Sequence, residues 1–142
     1  MSADMPSPMG PSTTGPSLSC FIVEDSPVIR QNLIATLEEM LPLQVIGCAE
    51  DEGSAVRWLQ TDQAPCDLMI IDIFLKSGTG LEVLRRARLL RPQTRLVVLT
   101  NYATTQMRQR CQALGADRLF DKSAELEELL AYCDQLARLP RH

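Results

Sequence analysis

Histidine is all but missing from this chain: the one that occurs, His142, is the last of 142 residues. A catalytic or metal-binding histidine inside the fold is thereby excluded. Cysteine is present but unpatterned. Cys20, Cys48, Cys66, Cys111 and Cys133 are widely spaced and odd in number, and no Cys-x-x-Cys pair occurs. They read as small buried hydrophobes in a reducing, cytoplasmic compartment rather than as a disulfide or metal framework. No run of 18 apolar residues exists, so no membrane-spanning helix is expected. Positive charge is not in excess. Fourteen basic against 18 acidic residues leave a formal charge of -4, which argues against a nucleic-acid surface.

What is present divides in two. Residues 1–17 hold four of the nine prolines with Ser, Thr and Gly, and neither a basic start nor an apolar stretch. This segment is expected to be a disordered tail, not a secretory signal. Residues 18–142 suit a single domain, and a 45% hydrophobic composition is enough to build its core. Nothing beyond residue 138 is long enough to be a second domain, so a stand-alone module is expected.

From Leu18 onward, short apolar runs alternate with segments of helical period. Leu18 to Val23 reads as a strand. Ser26-Pro27 opens a helix, with an N-cap residue before proline at the first helical position. Ile29, Leu33, Ile34, Leu37 and Leu41 form its apolar stripe, and Pro42 ends it. Strands are expected at 43–49, 67–72, 95–100 and 118–120. Helices are expected around Ala55-Trp58-Leu59, Leu81-Leu84-Ala87, Met107-Cys111-Leu114 and Leu126-Leu129-Cys133. Trp58 shares a helix face with Ala55 and Leu59 and is expected to pack on the sheet. Five strand–helix units with short connections predict an α/β fold, a parallel sheet with helices on both faces.

The polar residues that close the apolar runs carry the chemistry. The first strand ends in Glu24-Asp25 and the third in Asp72, just before the turn Ser77-Gly78-Thr79-Gly80. The fourth ends in Thr100, and the fifth is followed by Asp121-Lys122. Ligands of open parallel sheets bind at the carboxyl ends of the strands. Three carboxylates meeting there need a cation. Oxygen ligands without His or Cys suit Mg2+. A carboxylate beside a divalent metal, an ammonium and a hydroxyl is equipped to accept a phosphoryl group by in-line attack.

At this point the chain resembles the receiver domain of bacterial two-component response regulators. The matching stretches are Phe21-Ile22-Val23-Glu24-Asp25-Ser26-Pro27, Asp67 to Asp72 with Gly80-Leu81-Glu82-Val83-Leu84, Val97-Val98-Leu99-Thr100, and Gly115-Ala116-Asp117 leading to Lys122. The resemblance covers residues 18 to about 138. It implies a flavodoxin-like five-stranded parallel sheet in the order 2-1-3-4-5. It also implies Asp72 as phosphoacceptor, with Thr100 as switch hydroxyl and Lys122 on the phosphoryl group. The implied Mg2+ ligands are Asp25 directly, Glu24 through water, Asp72, and the backbone carbonyl of Phe74. The implied partners are a histidine kinase or histidine phosphotransfer protein and a downstream protein target; neither nucleic acid nor membrane is implied. Such a chain is a signalling phosphoacceptor, not an enzyme acting on an external substrate.

Four positions depart from the family pattern. Lys76 stands where proline is usual, and Asn101 where a small residue follows the switch hydroxyl. Ser123 replaces the proline after the lysine. A cis bond before a non-proline residue costs about 2.5–4 kcal/mol, so a trans Lys122–Ser123 peptide is expected, with some displacement of Lys122. Leu119 replaces the rotating aromatic, while Phe120 should face the other side of the strand. Two other readings compete. An aspartate-nucleophile phosphohydrolase would carry a second aspartate at position 74, which is Phe74. A receiver-like scaffold acting without phosphorylation would not need all five site positions to be chemically competent.

Overall fold

Ser26 caps the first helix as its residue type suggests: its side chain accepts from the Ile29 N–H, and Pro27 occupies the first turn. Asp51, Thr79 and Thr104 cap three later helices in the same way. The computed structural model describes residues 17–62 and 64–139. The elements are β1 (Leu18–Val23), α1 (Pro27–Met40), β2 (Leu43–Ala49), α2 (Glu52–Thr61), β3 (Leu68–Ile71), α3 (Gly80–Leu90), β4 (Arg95–Thr100), α4 (Thr105–Ala113), β5 (Arg118–Asp121) and α5 (Leu126–Arg138). The tail assigned to residues 1–17 lies, Ser17 apart, outside the described residues, as does His142. Among the described residues no helix is long and apolar enough to cross a membrane.

All neighbouring strands pair in parallel, in the order β2-β1-β3-β4-β5. This is the flavodoxin-like order expected from the sequence. The alternation of side chains along each strand divides the core into two layers. One side buries Phe21, Val23, Met69, Ile71, Leu96, Val98 and Leu119 under α2, α3 and Cys111 of α4. The other buries Cys20, Ile22, Leu68, Ile70, Val97, Leu99 and Phe120 under α1 and α5. Leu119 and Phe120 thus face opposite sides. β3 is central, and each of its four residues is at most 1% exposed. Burying such side chains contributes about 1.5–3 kcal/mol each, which pins the strand whose end carries Asp72.

Several expectations need correction. β3 is shorter than 67–72. Asp67 instead lies at the foot of the sheet, where its carboxylate accepts from the Ser19 N–H and hydroxyl at 2.9 and 3.0 Å. Ile29 is 38% exposed rather than buried on the α1 stripe, whose buried members are Leu33 and Leu37. Cys48 is exposed, whereas Cys20, Cys111 and Cys133 are buried. β2 is an edge strand of alternating exposure, in which Gln44, Ile46 and Cys48 are the exposed positions. Trp58 packs as expected, stacked on Phe21 with ring centroids 4.0 Å apart.

Candidate functional site

Four strand ends deliver their polar residues to one edge of the sheet. Glu24 follows β1, Asp72 follows β3, Thr100 closes β4 and Lys122 follows β5. The backbone holds each in place: Glu24 N–H donates to the Ala49 carbonyl, Asp72 N–H to Val23 and Lys122 N–H to Thr100, all at 2.8 to 2.9 Å. Glu24, Asp72 and Thr100 are the buried polar residues here, at 2%, 6% and 0% exposure. Asp25 is half-buried.

The Lys122 ammonium sits between two carboxylates. Its Nζ lies 2.7 Å from Glu24 Oε1 and 3.1 Å from Asp72 Oδ2. The remaining Glu24 oxygen accepts from the Ser26 N–H at 3.0 Å. Asp72 Oδ1 accepts from the Phe74 N–H at 3.4 Å. Burial pushes the Asp72 carboxyl above its usual range; Glu24 adds to the rise, and Lys122 opposes it. For Lys122, burial disfavours the ammonium. The hydrogen bond to Glu24 and the charges of both carboxylates outweigh it, so its pKa is raised. Glu24, Asp25 and Asp72 each offer an oxygen, and the three lie within 4.8 Å of one another. This donor set of hard oxygens fits a magnesium ion.

Two loops border the cluster. After Asp72 the chain turns through Gly78, whose φ of +78° is the left-handed region glycine tolerates. Gly80 then packs so closely that a Cβ there would run into the Asp72 carbonyl. Glu52 anchors this loop: its N–H donates to Ser77 O at 3.1 Å, and its carboxylate accepts from the Thr79 N–H at 2.9 Å. Asp51, which caps α2, and Glu52 are therefore capping and anchoring residues. After Thr100, the Tyr102 N–H donates to Thr100 Oγ1 at 3.1 Å. The Phe74 and Tyr102 rings meet edge to face at 4.7 Å, tying the two loops together although both are more than half exposed.

Glu24, Asp25, Asp72 and Lys122 thus come together, with Thr100 at the same sheet edge and Phe74 beside Asp72. No cis peptide occurs among the described residues, and Lys122 reaches both acids despite Ser123. Sequence reasoning missed the residues that hold the Lys122 loop. Asp121 Oδ1 accepts from Ser123 and Ala124 N–H, and Glu125 Oε1 accepts from Asp121 N–H. The Asp-Lys-Ser stretch carried the signal, since an aspartate commonly closes such an Asx turn.

Comparison with known proteins decides the family. The model of the response regulator receiver domain matches residues 20–134. The chain belongs to the response regulator receiver family. A putative transcriptional regulator of Pseudomonas aeruginosa is 35% identical over 110 residues, covering 78% of this chain and 52% of that protein. The acid tolerance regulatory protein ActR of Rhizobium meliloti is 30% identical over 117 residues, covering 82% and 58%. This receiver domain thus spans about half the length of the curated relatives it matches. Among solved structures, the response regulator domain of Thermotoga maritima CheB superposes with a TM-score of 0.74 at 20% identity, covering 88% of this chain and 99% of that one. The receiver domain of Francisella response regulator 1452 gives 0.75 at 20%, covering 86% and 98%. Both show the same fold. Receiver domains serve two-component signalling and bind Mg2+ at an acidic pocket; the acidic cluster of this one is Glu24, Asp25 and Asp72.

Proposed function

We propose that this receiver domain takes a phosphoryl group from a phosphohistidine of a histidine kinase or phosphotransfer protein onto Asp72, and signals through contacts with a downstream protein. The observation that carries this reading is the placement of Lys122 Nζ within 3.1 Å of Asp72 at the mouth of β3. A carboxylate oxygen of Asp72 attacks phosphorus in line, and the bond from phosphorus to the donor's imidazole nitrogen breaks. The Lys122 ammonium neutralises one phosphoryl oxygen, and the Thr100 hydroxyl donates to another. Asp25, Asp72 and the Phe74 carbonyl would hold Mg2+ directly, with Glu24 acting through water. When bound, the ion supplies positive charge to the phosphoryl oxygens. The domain is a phosphoacceptor with slow self-dephosphorylation, not an enzyme acting on an external substrate.

Incubation with Mg2+ and acetyl phosphate or phosphoramidate tests the proposal. A stable adduct that Asp72→Asn abolishes supports it. Labelling of the variant to the wild-type stoichiometry refutes the assignment. Steady turnover without an adduct indicates a phosphohydrolase, and no reaction indicates a scaffold.

A further inference from the structure

The loop bearing Lys122 is held by side chains that the reaction itself does not require. From Asp121 to Glu125 every main-chain N–H has an acceptor. Asp121 donates to Glu125 Oε1 at 2.8 Å and Lys122 to Thr100 O at 2.8 Å. Ser123 and Ala124 donate to Asp121 Oδ1 at 2.8 and 3.2 Å, and Glu125 donates to Asp121 O at 2.8 Å. Of these acceptors, only Glu125 Oε1 belongs to a side chain that a second element also grips. Arg108 of α4 reaches that same oxygen with one guanidinium nitrogen at 3.1 Å, and the Leu119 carbonyl with the other at 3.0 Å. β5 is the last strand of the sheet, and neither contact goes to its neighbour β4. Arg108 and Glu125 together therefore close the open edge of β5 directly before the lysine.

We propose that Glu125, oriented by Arg108, is the positioning residue for Lys122. The claim rests on the phosphoacceptor reading of Asp72. A lysine side chain has four rotatable carbons, so its charge is delivered accurately only if its backbone is fixed. Ser123, unlike proline, imposes no ring on that backbone, and hydrogen bonds must fix it instead. The Asp121 N–H on a free strand edge would otherwise bond water, and β5 would fray at the residue before Lys122. The Asp121 N–H and Arg108 also hold the Glu125 carboxyl below its usual pKa, so it stays ionised at neutral pH. α4 packs on the core through buried Cys111 and partly buried Met107, and Arg108, next to Met107, adds polar contacts to Leu119 and Glu125. Movement of α4 is thereby coupled to the lysine.

Beryllofluoride, which takes the place of a phosphoryl group on aspartate, tests this in the full chain by amide shifts during titration with Mg2+. Glu125→Ala is expected to weaken the adduct about tenfold, as a displaced catalytic-site group does, and to leave Mg2+ affinity within about twofold. Glu125→Gln keeps an oxygen for the Asp121 N–H and is expected to stay near wild type. In a Lys122→Met background, Glu125→Ala should cost nothing further. Arg108→Ala should weaken the adduct about threefold at unchanged Mg2+ affinity, and it carries the test if Glu125→Ala does not fold. The inference is overturned if Glu125→Ala binds beryllofluoride like wild type, if its loss is equally large without Lys122, or if Mg2+ affinity falls in parallel. Absence of any adduct in wild type overturns both this and the Asp72 reading, whereas a normal wild-type adduct indifferent to Glu125 overturns this alone.

Discussion

Replacing Lys122 by methionine isolates what the buried ammonium contributes. Met keeps an apolar stem of similar length and removes the charge. Glu24 and Asp72, 2% and 6% exposed, then face each other without a cation. Their nearest usable oxygens lie no more than 4.8 Å apart. Two unit charges at that distance repel by about 3.5 kcal/mol at an effective dielectric of about 20. Removing one partner of a buried ion pair costs about 3–5 kcal/mol, which agrees. A ceiling exists, because one carboxyl can bind a proton instead of remaining charged. Each unit of pKa rise costs about 1.36 kcal/mol. We therefore expect Lys122→Met to lose about 3 kcal/mol at pH 7 in EDTA, roughly 10 °C in melting temperature for a domain of this size. Urea unfolding with a wild-type control measures it. The sign of the pH effect follows from linkage. Asp72 already has a raised pKa, and without Lys122 it rises further. The proton it binds stabilises the fold at low pH, and that contribution is lost as pH rises through the raised value. The gap between variant and wild type should narrow from pH 7 to pH 5, and Asp72→Asn added to Lys122→Met should recover most of the loss. A single variant within 1 kcal/mol of wild type in EDTA would refute the reasoning.

Further outcomes follow from the same geometry. Mg2+ at tenfold excess over its dissociation constant should add about 1.4 kcal/mol to wild type, and Asp25→Ala should remove that increment while raising metal-free stability; a melting temperature indifferent to Mg2+ in wild type counts against the site. Asp72→Asn should raise the metal-free melting temperature at pH 7, because burial and Glu24 make the ionised carboxylate costly, and the gain should shrink as pH falls toward the carboxyl pKa; an unchanged or lower melting temperature at pH 7 contradicts this. Phe74 and Tyr102, in contact beside the acceptor, should slow hydrolysis of the phosphorylated state by withholding polar groups that orient water. Phe74→Asn and Tyr102→Glu should each speed decay about tenfold, equal to 1.36 kcal/mol of barrier, and decay no faster than wild type in both defeats the shielding argument.

The alternation of apolar runs and helical periods determined the fold class without help from long-range contacts. β2 and β4 fall at the residues where the sequence places them, and Ser26 caps α1 as its place before Pro27 predicts. These features depend on neighbours within about four residues, which is the reach of a helical turn or a strand alternation. That Glu24, Asp25, Asp72, Thr100 and Lys122 gather at one sheet edge was likewise readable, because parallel strands send their carboxyl ends there. The tertiary structure alone decided which acids the ammonium takes. Lys122 and Asp72 are 50 residues apart, and nothing local to either records that the nearer contact is to Glu24. It alone decided that Cys48 is exposed, since an edge position is a property of sheet order. It decided too that Phe74 and Tyr102 touch, and that Arg108 reaches Glu125 across the free edge of β5. Pairings of this kind depend on where separate elements come to rest against a common core, and that is set by packing summed over the whole domain.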